Sequence, residues 1–227
     1  KYNFIALPVV DGENRMVGIV TVDDAIDVLT EETTEDLSIM AAVTPDEKPY
    51  FAASAWEHAR HRVLWLLILM LSAAITGSII TRYEDAISAV PLLVAFLPML
   101  MDTGGNCGSQ SSTLIIRGLA VDELRFADTA RIIWMELRVA LLVGLGLAVA
   151  DLAFIMLRYN DLRLAGVVSA AMLCTVVCAK VTGGLLPIAA KRLGMDPALM
   201  AAPLITTVVD TVAMFIYFTI ASAVFAI

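Results

Sequence analysis

The sequence predicts a mainly α-helical, polytopic membrane protein with five transmembrane helices, preceded by a partial α/β segment and an acidic linker helix. Three observations carry this. Hydrophobic residues make up 59% of the 227 and the mean hydropathy is +0.84, above the roughly 45–50% apolar content of soluble domains. Apolar runs long enough to cross a bilayer recur from Val63 onward, about 20 residues being the length required. Charge is also segregated: residues 1–57 hold twelve acids and three bases, residues 58–227 eleven acids and twelve bases.

Residues 1–30 read as a β-β-α piece. Phe4 to Val10 and Met16 to Val22 are apolar runs around the turn Asp11-Gly12-Glu13-Asn14, which predicts a hairpin. Thr21 and Asp24 have capping-box spacing for a helix from Val22 to Leu29. So small a unit cannot bury a core of its own and reads as the end of a larger domain. Lys1 to Val10 lacks the basic start and long apolar core of a signal peptide. Residues 31–62 form the linker. From Asp23 to Asp36 the chain places Asp23, Asp24, Asp27, Glu31, Glu32, Glu35 and Asp36 with no base among them. Like charges one turn apart destabilise a helix, so this run is either a solvated face or one bridged by divalent cations. Thr44 to Pro49 breaks the chain, and Tyr50 to Arg62 reads as a helix entering the bilayer. His58, Arg60, His61 and Arg62 mark a cytoplasmic interface, with metal binding by the two histidines as the alternative. The acidity of the first 57 residues excludes nucleic acid and anionic headgroups as their partners and favours cations.

Residues 63–227 form the membrane part. The expected spans are 63–80, 86–119, 132–157, 164–186 and 203–227, the second bent or broken at Pro91, Pro98 and its glycines. With the N-terminus inside, cytoplasmic flanks hold Arg60, Arg62, Arg117, Arg125, Arg131, Arg138, Lys191 and Arg192, against Arg82, Arg158 and Arg163 outside. That asymmetry predicts a cytoplasmic N-terminus and, after five crossings, an external C-terminus. Cys174 and Cys178 read as small buried hydrophobes, since a soft-metal site lacks a third Cys or a His beside them.

The second span contains Asp102, Gly104, Gly105, Asn106, Gly108 and Gln110 within nine residues. Hydrocarbon cannot satisfy a loosened backbone, so irregular chain at that depth lines protein or a wet cavity. The stretch is expected to wall a solute path; the alternative ends the membrane at Met101. In the last span Asp210 carries an insertion cost of about 2.5–3.5 kcal/mol, to be offset by water, a cation or Lys180. Glu136, Asp151 and Lys180 could instead pair among themselves and leave Asp210 free. Asp102-Thr103-Gly104 spells an aspartic-protease triplet, but no flap-like strands follow, Gly-x-Gly-Asp is absent and no Walker loop occurs. No enzyme is expected.

Gly104-Gly105-Asn106-Cys107-Gly108-Ser109-Gln110 with Ile116-Arg117-Gly118-Leu119-Ala120, and later Asp196-Pro197-Ala198, Pro203-Leu204-Ile205-Thr206-Thr207 and Asp210, resemble the signature of the MgtE family of magnesium channels. Leu7 to Ala25 resembles the closing half of a CBS domain. The resemblance implies a homodimer whose pore is lined by the second and fifth helices. It also implies cytosolic N and CBS domains that bind Mg²⁺ and shut the pore when the ion is plentiful. On it, Asp210 is the pore carboxylate and Gly105 and Asn106 the pore motif. Relatives often carry a polar residue where Ala202 stands, so that position is expected to offer backbone contacts only. Thr206 flanks the site. Regulatory ions are expected at the linker acids and Asp196. Mg²⁺ sheds water reluctantly, and one carboxylate per protomer with hydrogen-bonding neighbours suits a hydrated ion. The runner-up is a proton- or ion-coupled secondary transporter of divalent cations using Asp210 or Glu136; a third reading is a cytosolic Mg²⁺ sensor with a membrane anchor. Without the rest of a regulatory domain, the linker is expected to be mobile or displaced.

Overall fold

The computed structural model describes residues 4–46 and 48–226. Strands β1 (Ala6–Val10) and β2 (Met16–Thr21) pair antiparallel. The hairpin buries nothing: Leu7, Val17 and Ile19 are all more than half exposed. Thr21 then caps α1 (Val22–Met40), its amide and hydroxyl both donating to the Asp24 carboxylate. The division expected at residue 30 falls inside this one continuous helix. The linker is docked, against expectation. Ile39 and Met40 pack on Ile116, Ala198 and Ala201, because apolar residues at the end of α1 meet an apolar notch between α4 (Leu97–Ala120) and the 3-10 turn Pro197–Met200.

After the expected break, α2 runs Ala55–Arg82. It begins five residues later than the sequence suggested, since Ser54 caps it, accepting from the Glu57 amide while its own amide donates to the Glu57 carboxylate. The connector folds back on this first turn: Lys48 pairs with Glu57 at 2.6 Å, His58 Nε2 lies 2.8 Å from the Tyr50 carbonyl, and the Thr44 amide donates to His61 O.

The second span is divided differently from the expectation. Helix α3 (Glu84–Ala89) stops at Val90, which the following Pro91 holds out of the helical region at φ −134°. A 3-10 turn, Pro91–Phe96, follows, and then α4 (Leu97–Ala120). Pro98 sits in the first turn of α4, where a missing N–H costs nothing. The glycines break nothing: α4 is continuous through Gly104, Gly105 and Gly108. Helices α5 (Thr129–Tyr159), α6 (Leu162–Arg192) and α7 (Ala202–Phe225) complete the bundle. Among the described residues four helical segments are long and apolar enough to cross a membrane, those of α2, α5, α6 and α7, where five spans were expected. Helix α4, at 24 residues, is also long enough, at about 36 Å, but its middle is polar.

Helix α6 is the centre, with Val168, Ala171, Met172, Val176 and Ala179 sealed between α4, α5 and α7. Its two cysteines are not both interior: Cys174 is exposed and Cys178 half-buried. The glycines account for the close packing. A Cβ on Gly104 would lie 2.7 Å from Thr175 Cγ2, one on Gly108 2.6 Å from Ile205 Cγ2, and one on Gly183 would overlap the Gly108 carbonyl. Small residues let membrane helices approach where no hydrophobic force drives them together. At the far end Tyr217 donates to Leu93 O at 3.0 Å, and Tyr83 stacks on Phe218.

This packing makes a test. Gly183→Ala forces backbone apart from backbone and is expected to cost about 1–3 kcal/mol, read as a lower unfolding temperature in detergent. Gly146→Ala meets nothing within 4 Å and is expected to be neutral or stabilising by about 0.5–1 kcal/mol. Equal effects for the two would rule out the close α4–α6 contact.

Candidate functional site

Helices α4 and α7 pack together and divide their residues by chemistry. On α4, Gly104, Gly105, Cys107, Gly108, Ser111 and Ser112 are buried, while Asp102, Asn106, Gln110 and Thr113 are exposed. Asp102, Asn106 and Gln110 recur every four residues, so they form one polar stripe. On α7 the same spacing aligns Ala202, Thr206 and Asp210, all half-buried.

The stripe on α7 is locally organised. Pro203 cannot donate an N–H and sits in the first turn of α7, where none is needed. Its carbonyl accepts both Thr206 Oγ1 at 3.0 Å and Thr207 Oγ1 at 2.9 Å; Thr211 Oγ1 donates to Thr207 O and lies 2.9 Å from Thr76 Oγ1 on α2. Thr206 therefore turns its methyl toward Gly105, where an added Cβ would lie 2.8 Å from Cγ2. Its hydroxyl keeps lone pairs for a ligand but has already given its proton. Gly105 is buried in this contact, within a regular helix whose carbonyls serve the helix itself. The sequence-predicted residues Gly105, Thr206 and Asp210 thus share one face, with Asn106 on the adjoining open side and Ala202 at the helix start.

Among the described residues no hydrogen bond or ion pair engages the Asp210 carboxylate, and the charge that acts on it is that of Asp102 across the helix pair. Sequence reasoning placed Asp102 in the stretch expected to wall a solute path and weighed it in a protease triplet, which here is plain α-helix, but did not set it as a second charge beside Asp210. The signal that could have found its role was the four-residue spacing from Asp102 to Asn106. Lys180 does not reach Asp210. Its Nζ donates to Ser111 Oγ at 3.3 Å, and Ser111 Oγ donates to Glu136 Oε2 at 2.5 Å. Asp151 does not join them: its Oδ2 is buried without a hydrogen-bond partner among the described residues. So of the three groups expected to pair among themselves, Lys180 and Glu136 are joined through Ser111 rather than directly, and Asp151 stands apart.

The linker acids fall into three sets. Asp24 is occupied as the α1 cap, and its bonds from Thr21 hold its carboxyl below the usual range. Asp23, Asp27, Glu31 and Glu35 are exposed, the last three lining a groove with Glu32, Asp46 and Lys48. Glu32 and Asp36 face Asp196 across a second groove floored by Ile116 and Pro197. Asp196 accepts from the Ala198 amide at 2.8 Å and caps the 3-10 turn Pro197–Met200 leading into α7. Ser112 Oγ of α4 donates to Met200 O in the same turn.

A polytopic helical membrane protein with a free carboxylate on a polar face, joined at one end to an acidic helix, is the class these features define. The family model of MgtE divalent cation transporters matches residues 97–220, and the CBS-domain model matches residues 1–31. The chain belongs to the MgtE family. It is 41% identical to the magnesium transporter MgtE of Thermus thermophilus over 220 residues, 97% of this chain and 49% of the relative. Identity is 37% to the Bacillus subtilis protein of that name over 98% of this chain and 49% of the relative, and 34% to that of Enterococcus faecalis over 97% and 48%. The chain spans about half the length of the curated relatives it matches.

The Asp36 contact yields a pH prediction. Burial, then the charges of Asp196 and Glu32, push the Asp36 carboxyl up from its ordinary value. The docked linker thus holds the proton more tightly than the undocked one, so docking is strongest at acid pH and weakens as pH rises through the docked pKa. Spin labels at Leu37 and Leu193, both exposed, should report a shorter, narrower distance distribution at pH 4 than at pH 7. Asp36→Asn should keep the short distance at both.

Proposed function

We propose that the chain is the membrane part of a Mg²⁺ transporter that works as a homodimer. Two copies set their α4–α7 polar faces across a shared axis, and the ion passes between them with its hydration shell largely intact. The observation that carries this reading is the Asp210 carboxylate, half-buried in a membrane helix with Asp102 as its charged neighbour. Two like charges beside hydrocarbon are costly, and a divalent cation relieves both. The relatives' name, magnesium transporter, supports the choice of ion.

The site chemistry suits a hydrated hard cation. Mg²⁺ favours oxygen in an octahedron and keeps several waters. Asp210 supplies charge, Asn106 an amide, Thr206 lone pairs and the start of α7 at Ala202 its polar backbone. Gly105 lets α4 come close enough for the two stripes to serve one ion. Conduction also needs weak holding, or the ion would not leave. The N-terminus and linker are cytoplasmic, and Mg²⁺ between Glu32, Asp36 and Asp196, with the outer acids Asp23, Asp24, Asp27, Glu31 and Glu35 facing the remaining regulatory domains, holds the path shut.

Asp210→Asn keeps shape and removes charge. In the full-length protein in vesicles it should lower Mg²⁺ flux by about tenfold or more, while the unfolding temperature holds. Hexaamminecobalt(III), a hydrated-ion mimic that cannot exchange ligands, should block the wild type. Flux untouched by both the substitution and the complex would sink a path through Asp210. Flux lost in Asp210→Asn but insensitive to the complex would instead favour direct ligation.

A further inference from the structure

The buried chain Lys180–Ser111–Glu136 lies outside the ion path proposed above. Lys180 is 4% exposed and Ser111 1%. They meet where α6 crosses α4, and Glu136 reaches them from α5. An ammonium among packed membrane helices needs a counter-charge. Glu136 is the carboxylate in contact with the chain, and it acts through a single hydroxyl. Its other side lines a cavity of about 280 Å³ with Glu123, Asp128 and Arg131 near the α4–α5 turn.

Helix geometry relates this chain to the ion path. Ser111 is on the packed side of α4, and Asn106 and Gln110 are on its open side. Ser111 is turned from Gln110 by about 100° and from Asn106 by about 140° around α4, so the buried chain and the open side are within roughly 10 Å of each other. Across packed protein a fixed charge acts strongly on a divalent ion and is poorly screened by salt. An uncompensated Lys180 would therefore oppose a cation at Asn106. A neutral hydrogen-bond chain would tie the three helices as well and raise no such problem, so the presence of a charge calls for Glu136 as more than a tie.

We propose that Glu136 neutralises Lys180 through Ser111, so that this pair sets the affinity of the path for a divalent cation without touching the ion. The inference rests on reading α4 as a wall of that path. Glu136 is in this sense a positioning residue for charge, and the sign of its effect is opposite to that of Lys180.

The test is Mg²⁺ uptake by the full-length protein in vesicles, fitted for the half-saturating Mg²⁺ concentration. Glu136→Gln keeps an oxygen to accept from Ser111 and removes the charge. It should raise the half-saturating concentration roughly tenfold. Lys180→Met should lower it. The double substitution should return to within roughly a factor of two of wild type. A purely structural chain predicts otherwise: Glu136→Gln near wild type, and a double variant at least as impaired as the worse single one. Either of those patterns overturns the proposal. If Glu136→Gln is not recovered folded, Lys180→Met decides alone, and a raised or unchanged half-saturating concentration overturns the proposal. Wild type that moves no divalent ion sinks the transport reading beneath it; wild type that transports, with all variants unchanged, sinks only this inference.

Discussion

Helix α4 meets α6 with no side chain between Gly108 and Gly183, and much of the molecule depends on that contact. A single added Cβ on Gly183 would overlap the Gly108 carbonyl. In a membrane the lipid is as apolar as the side chains, so close van der Waals packing and small residues replace hydrophobic burial as the force that joins helices. With α6 seated this deeply, Ile205 and Val209 of α7 reach the same groove on α4. The three helices are thus all packed against one another. Helix α5 adds to the other side of α6, where Gly144 admits Leu173 and Val176.

Close packing forces the polar residues to choose sides. Those on the packed face of α4 must find partners inside, and Ser111 and Ser112 do, with Lys180, Glu136 and the Met200 carbonyl. Those on the other face are left open: Asp102 is the charged neighbour of Asp210, and Asn106 and Gln110 follow it along the same stripe. Polar residues that look equivalent in a polar run thus divide into a buried set that fastens helices and an exposed set free to meet a solute. The threonines of α7 strengthen the division by spending their protons on their own helix.

The same packing gives the linker something to act on. Helix α1 ends on Ile116, Ala198 and Ala201, at the turn that starts α7. Ser112 fastens that turn to α4, and Asp196 shapes it. Movement of α1 therefore bears on the first residues of the helix that carries Asp210. Repulsion among Glu32, Asp36 and Asp196 opposes docking, and apolar contact by Ile39 and Met40 favours it. Two opposed terms of this kind make a contact that cations or protons can bias.

The sequence by itself determined the helical membrane class, the hairpin and its capped helix, the acidic run, and the prominence of Asp210 and of the glycine-rich stretch. Those follow from hydropathy, spacing and the cost of charge in hydrocarbon, all of which are local. The five spans it expected became four long apolar helices and a second span divided into α3, a 3-10 turn and the polar α4. It misread the glycines as breaks, because a glycine signals either a loosened backbone or a close neighbour, and only the position of α6 and α7 says which. It left Lys180 with three candidate partners, because a long flexible side chain takes its partner from the helix register, which no single span contains. It passed over Asp102 as a second charge at the site for the same reason. It expected a displaced linker, because the apolar notch that receives Ile39 and Met40 is assembled from α4 and the turn before α7, some eighty residues apart in the chain. Periodicity fixes which residues share a face; only packing decides what that face meets.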